Sequence, residues 1–193
     1  MFDMGPYYLT ALVSLLGPVK RVCGSANAAF PERIITSQPH AGTRIPVETP
    51  THVTGIAEFS SGIPATVLMS FDVWPSPLPF IVLYGTEGTM EAPDPNTFGG
   101  PVRLCRGEER GFQEVDIGQT AVRRRGVGVA DLACSILRRR RKHRADARLA
   151  QHVLEVMAAF ERSSVTGRHV RIRSACSRPP SLPPGLAEGA LDP

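Results

Sequence analysis

Between Ile63 and Phe71 the sequence alternates. Ile63, Ala65, Val67, Met69 and Phe71 fall on one side of an extended chain and Thr66, Ser70 and Asp72 on the other, with only Pro64 and Leu68 off pattern. A strand with one apolar face must bury that face against a second layer, so the chain needs a sheet covered on one side. The same period runs from Val19 to about Leu104. Thr51 to Phe59 reads as a strand and meets the next across Ser60-Ser61-Gly62, a short glycine-containing hairpin loop. Phe80 to Tyr84 pairs with Thr89 to Glu91 across the turn Gly85-Thr86-Glu87-Gly88. A meandering antiparallel sheet is the expectation.

The covering layer comes from three stretches of helical period. Near the start, Asp3 is placed as N-cap and Pro6 in the first turn. Leu9, Leu12, Val13 and Leu16 follow on one face, and Gly17-Pro18 stops the run. Helices return over Val127–Arg139 and Ala147–Arg162, the latter with Leu149, Val153, Val156 and Phe160 in one stripe and Gly167 after it. Val170 and Ile172 alternate with arginines as a closing strand. Residues 31–50, with four prolines, read as a long edge loop or lid, and 102–117 as one or two short strands. The expected class is α+β: an open, mainly antiparallel β-sheet with helices packed on one face, over residues 1–173. Residues 174–193 are too proline-rich and apolar-poor to order themselves and are expected to form a mobile tail.

Composition removes several classes. The longest apolar run, Leu9 to Leu16, is broken by Thr10 and Ser14 and is far short of the ~20 residues of a membrane span. The start Met1-Phe2-Asp3 has no basic region and no small-residue cleavage site, which points to the cytoplasm. Cys23, Cys105, Cys134 and Cys176 are too far apart for a metal knuckle and read as buried free thiols. The five histidines lack metal-ligand spacing, so no metal is expected. Residues 1–121 hold 7 Lys and Arg against 12 Asp and Glu, whereas 122–193 hold 15 against 6, so the basicity is regional. Arg138 to Arg144 reads as a solvated basic helix end or a polyanion contact; neighbouring aromatics that would stack on bases are missing, which disfavours nucleic acid. Gly126-Val-Gly128 is only a fragment of a dinucleotide fingerprint, and no phosphate-binding GxxxxGK[ST] occurs.

The candidate site residues are few. Asp3 and Tyr7, four apart at a helix start, are a cap and a core-edge ring, or a carboxylate and a phenol able to orient a substrate hydroxyl. Trp74 is a hydrophobic plug or a ring stacked on a sugar-like molecule. His152 reads as a packing-edge residue of its helix.

Four short motifs in order carry a family resemblance. They are Phe2-Asp3-Met-Gly5-Pro-Tyr7-Tyr8-Leu9 with its apolar helix, Glu58-Phe59-Ser-Ser-Gly62, Tyr84-Gly85-Thr-Glu87-Gly88-Thr89, and Gly167-Arg-His169-Val170. Over residues 2–173 the chain resembles the C-terminal domain of the Gfo/Idh/MocA oxidoreductases. The resemblance implies the substrate-binding half of an enzyme that moves a hydride between a sugar or polyol carbon and NAD or NADP. Asp3 and Tyr7 would take catalytic positions, Tyr7 standing where the family commonly has His, and Tyr8 and Trp74 would line the substrate. The dinucleotide-binding domain of the family has no counterpart in this chain. The expectation is therefore a truncated frame that binds no cofactor alone and turns nothing over alone, with homo-oligomerisation through the open sheet. A non-catalytic interaction module is the alternative.

Overall fold

The computed structural model describes residues 1–117, 125–138, 142–183, 186, 190 and 191. They fall into two compact units: Met1–Ser76 with Ala147–Arg178, and Pro77–Asp146 with Pro179–Pro193.

In the first unit, helix α1 (Gly5–Leu16) ends at Gly17, whose φ of +90° suits only glycine and whose N–H still bonds to Val13 O. Pro18 then starts the chain into strand β1 (Val19–Asn27). Strands β2 (Glu32–Ile34) and β3 (Arg44–Pro46) form a separate two-stranded ribbon. The span 31–50, expected as a bare loop, is thus a hairpin: Ile45 opposite Arg33 sets its register, and the four prolines lie at its ends and turns. Strands β4 (His52–Phe59) and β5 (Pro64–Ser70) make the expected hairpin over 60–62. Ile63 and Phe71 lie outside β5 and are exposed. All pairings with β1 and between β4 and β5 are antiparallel.

Helix α3 (Ala147–Thr166) covers one face of this sheet and α1 packs on α3. Leu149, Val153, Val156 and Phe160 from α3, Leu9 and Val13 from α1, and Val22, Val53, Ala57, Phe59 and Val67 from the sheet form one core. Alternation is kept: Val53, Ala57 and Phe59 point in, while Thr54, Ile56 and Glu58 point out. Gly167, with φ +65°, ends α3, and strand β10 (Val170–Arg171) pairs with β1 at Arg21 and Val22 only. The N–H groups of Gly24 and Ala26 beyond that short edge strand are taken by the Ser163 and Ser164 hydroxyls of α3, at 3.0 and 2.9 Å.

In the second unit, strands β6 (Ile81–Tyr84), β7 (Gly88–Ala92), β8 (Val102–Arg106) and β9 (Gln113–Val115) form their own antiparallel sheet in sequence order. The single meander expected from the period is therefore two four-stranded sheets. Residues 71–80 interrupt the ladder, because Pro75, Pro77 and Pro79 lack the N–H that would extend it. Helix α2 (Val127–Arg138) follows. The fold class is α+β, with antiparallel sheets and none closed into a barrel.

Three expectations need correction. The four cysteines are free, but each is half-buried rather than buried. Arg144 is not a solvated end of the basic run: it pairs with buried Asp131 at 2.7 Å and also donates to Pro180 and Ser181 carbonyls, while 139–141 lie outside the described residues. Residues 174–181, read as loose, make specific bonds. Glu155 accepts the N–H of Arg173 and of Ser174, and Arg178 donates to Ser14 O of α1. Backbone partners do there what apolar burial could not.

Candidate active site

Helix α1 begins without a side-chain cap. Met4 holds the cap position and offers no side-chain bond; the Gly5 N–H donates to Met1 O at 2.7 Å and the Tyr7 N–H to Met4 O at 3.1 Å. The expected Asp3 cap is thereby corrected: the turn of residues 1–4 supplies main-chain acceptors, and Asp3 is left exposed. Gly5 makes this turn possible, since a Cβ there would lie 2.9 Å from Met1 Sδ and 3.0 Å from Met157 Sδ. With Met1 and Leu9 buried on either side, Asp3 is exposed and Tyr7 and Tyr8 are half-buried at one helix end. A carboxylate can accept from a substrate hydroxyl and a phenol can donate to one, near the positive end of the helix.

Trp74 is not brought to them. Gly5 packs at Met157, whereas Ala26 bonds to Ser164, seven residues or about 10 Å further along α3. Ala26 pairs with Val53 and Val53 with Met69, so β5 leaves the sheet beyond that level. Trp74 follows, 86% exposed.

At that end lies a cluster that no local pattern announces. The Asp72 carboxylate, 5% exposed, accepts the Thr51 hydroxyl at 2.6 Å and the Ala29 N–H at 3.1 Å, and pairs with Arg33. Arg33 also donates to Phe71 O and lies 5.2 Å over the Phe30 ring. The Ser70 hydroxyl accepts the Asp72 N–H and bonds His52 Nδ1 at 2.9 Å. The Thr51 hydroxyl, opposed by burial and joined by Ala29 and Arg33, holds the Asp72 carboxyl below its usual range. With its acceptor sites filled by protein donors, Asp72 ties the β2–β3 ribbon to the sheet end and sets the stem on which Trp74 stands.

A second buried polar centre lies in α3. His152, read as a packing-edge residue, is fully buried. Its Nε2 accepts the Val19 N–H at 2.9 Å, which leaves the proton on Nδ1 facing the Ser174 hydroxyl at 3.0 Å. Only a neutral ring fits both bonds, and burial accordingly lowers its pKa from 6.5.

Among the described residues no three His, Cys, Asp or Glu gather to hold a metal ion. No described helix is long and apolar enough to cross a membrane. Every described strand pair is antiparallel, so the crevice of a parallel βαβ unit, which receives a dinucleotide, does not form from them. Gly126-Val-Gly128 opens α2, where Asp131 is spent on Arg144.

The described residues thus form an α+β architecture with antiparallel sheets and polar side chains at the entry of its first helix. Residues 1–91 match the family model of the GFO/IDH/MocA C-terminal domain. The fold agrees with solved oxidoreductases. It matches levoglucosan dehydrogenase in its apo form with a TM-score of 0.69 and 15% identity, covering 90% of this chain and 51% of that one. An NAD binding oxidoreductase from Klebsiella pneumoniae matches with 0.65 and 22% over 89% and 50%. Aldose-aldose oxidoreductase from Caulobacter crescentus, complexed with glycerol, matches with 0.59 and 20% over 88% and 46%. The chain thus spans about half the length of these structures. No curated protein matches it.

Proposed function

We propose that this chain is the substrate-facing half of an NAD(P)-dependent oxidoreductase acting on a sugar, polyol or related hydroxylated molecule. The observation that carries this reading is the fold agreement over 90% of the chain with levoglucosan dehydrogenase. A related structure holds NADH and L-sorbose. In the proposal Asp3 and Tyr7 are the catalytic pair, orienting the hydroxyl whose carbon exchanges hydride. Tyr8 lines the same helix end. NAD or NADP is held by the half of the family architecture to which these residues do not correspond, so the chain binds no dinucleotide and turns over nothing by itself.

Two titrations test this. NADH fluorescence titration of the 193-residue chain is expected to show no binding; micromolar affinity would sink the domain assignment. Saturation-transfer NMR with L-sorbose and glycerol is expected to show weak binding that Tyr8→Ala lowers about 2- to 12-fold, the value of one ring contact. Sorbose binding that is absent, or untouched by Tyr8→Ala and Tyr7→Phe alike, removes the site.

A second reading, a non-catalytic oligomerisation module, is favoured by the outer face of the β1–β4–β5 sheet. Ile56 and Leu68 are 48% and 47% exposed there, flanked by Thr54 and Thr66 and by the Arg21–Glu58 ion pair. Homo-oligomerisation through this face accords with either reading. Sedimentation equilibrium is expected to show a dimer that Leu68→Asp converts to monomer; a wild-type monomer at high concentration disposes of it.

A further inference from the structure

Helix α1 is finished at its far end by groups from elsewhere in the chain. A helix leaves its last four carbonyls without partners of its own. In α1 the Val13 carbonyl accepts the Gly17 N–H at 2.9 Å and the Leu16 carbonyl accepts the Ser61 hydroxyl at 3.3 Å. The Ser14 carbonyl accepts Nε–H of Arg178, 164 residues on. The last turn of α1 holds no basic residue, so the guanidinium supplies from outside the positive charge that complements the helix dipole there.

Arg178 is delivered there by a segment that has neither helix nor strand after β10. Polar bonds fix the start of that segment. The Ile172 N–H donates to Lys20 O at 3.0 Å, and the Arg173 and Ser174 N–H groups donate to the two carboxylate oxygens of Glu155 at 2.8 and 2.7 Å. The Ser174 hydroxyl bonds His152 Nδ1 at 3.0 Å, and Cys176 packs against the core. Four residues, at most about 14 Å of chain, then separate Ser174 from Arg178. Helix α1 already packs on α3. The segment ties its last turn to α3 a second time, by a path that runs through Glu155 and His152.

We propose that residues 172–178 form a strap that seats α1, with Arg178 as a positioning residue for the helix end that carries Asp3, Tyr7 and Tyr8. Tyr7 precedes Ser14 by about 10 Å along the helix, and a short helix tilts as one body, so movement at the last turn reaches the first. The strap stands on the hydrogen bonds; its effect on a ligand rests on the substrate reading proposed above.

Amide hydrogen exchange of the 193-residue chain tests the strap, with the core strand β4 as internal control. Arg178 is exposed, so its variants keep the fold. Arg178→Ala is expected to speed exchange in α1 about 2- to 5-fold, the value of one cation at a helix C-terminus, and to leave β4 unchanged. Arg178→Lys, which keeps a donor and the charge, is expected to restore it. Glu155→Ala frees the start of the strap while leaving Arg178 in place, and is expected to speed α1 by a similar factor. In saturation-transfer NMR, Arg178→Ala is expected to weaken L-sorbose binding by that factor and Arg178→Lys to regain it. Exchange in α1 that Arg178→Ala leaves unchanged, or raises no more than in β4, overturns the strap, and so does an α1 blind to Glu155→Ala. Faster exchange with sorbose affinity unchanged overturns the positioning role. Sorbose binding absent from the wild-type chain removes the substrate reading instead, and exchange still decides the strap.

Discussion

Gly55→Ala is expected to destabilise the first unit by more than about 3 kcal/mol, the upper range for overpacking a core, and to lower the melting temperature by about 10 °C. The reason lies in three groups stacked through the sheet. Gly55 of β4 faces Gly24 of β1, and the ring of Phe160 lies over both. A Cβ at Gly55 would stand 2.1 Å from the Cys23 carbonyl oxygen, 2.7 Å from Gly24 Cα and 2.9 Å from the Phe160 ring. The ring could yield; the backbone atoms cannot without parting the two strands. A Cβ at Gly24 meets the same ring at 2.7 Å but the nearest backbone atom, Thr54 O, only at 3.0 Å, so Gly24→Ala should cost less. Thermal melts of the two variants check the order, and trimming Phe160 to Leu should relieve Gly24→Ala more than Gly55→Ala. A Gly55→Ala variant as stable as wild type would mean that the strands do not approach this closely.

His152→Ala is expected to cost about 3–5 kcal/mol, combining a cavity with a buried Val19 N–H left without an acceptor. The same residue makes the fold sensitive to acid. In the unfolded chain the ring takes up a proton near its ordinary pKa of 6.5; in the folded chain burial, which disfavours the charged ring, lowers that value. The unfolded state thus binds more protons below pH 6.5. Stability is full above that pH and falls as pH drops below it, by up to about 1.4 kcal/mol per pH unit until the folded ring itself titrates. Glu155 acts lower. Burial raises its pKa, but the Ser174 hydroxyl and the N–H groups of Arg173 and Ser174 outweigh that, so its contribution is lost only as pH falls through and below 4.5. Urea titrations at pH 7.5 and 5.5 separate the two. His152→Gln, which can still accept from Val19 and donate to Ser174, should keep most of the stability and lose the slope between those values. A slope unchanged in His152→Gln assigns the acid sensitivity elsewhere.

The acid-sensitive ring also ties pieces that bear on the candidate site. Val19 begins β1 directly after α1, and Ser174 begins the segment that continues to Arg178, bonded to Ser14 of α1. Loss of the His152 bonds loosens the support of the helix whose other end carries Asp3, Tyr7 and Tyr8.

What was legible beforehand follows one rule. Wherever a segment buries alternate or every third and fourth side chain, the element was readable, as for α1, β4, β5, α3 and the β6–β7 turn. Asp3 was misread as a cap because the acceptor that displaced it, Met1 O, belongs to the backbone and leaves no trace in residue type. The β2–β3 ribbon was missed because prolines at its ends masked a strand held by only three register pairs. Of the candidate site, Asp3 in the turn before α1 and Tyr7 and Tyr8 in its first turn are near one another along the chain, so their nearness needs no tertiary contact. The Asp72 cluster, whose ion pair spans 39 residues, was not.

The sequence by itself determined the elements and the apolar side of most of them, since periodicity is set by side chains a few residues apart. Tertiary structure alone decided the partners. It split the strands into two four-stranded sheets and a two-stranded ribbon, set His152 on an N–H 133 residues away, and paired Asp131 with Arg144 across 13 residues. Those outcomes depend on which distant groups can satisfy a buried donor, acceptor or charge, and no local pattern carries that information.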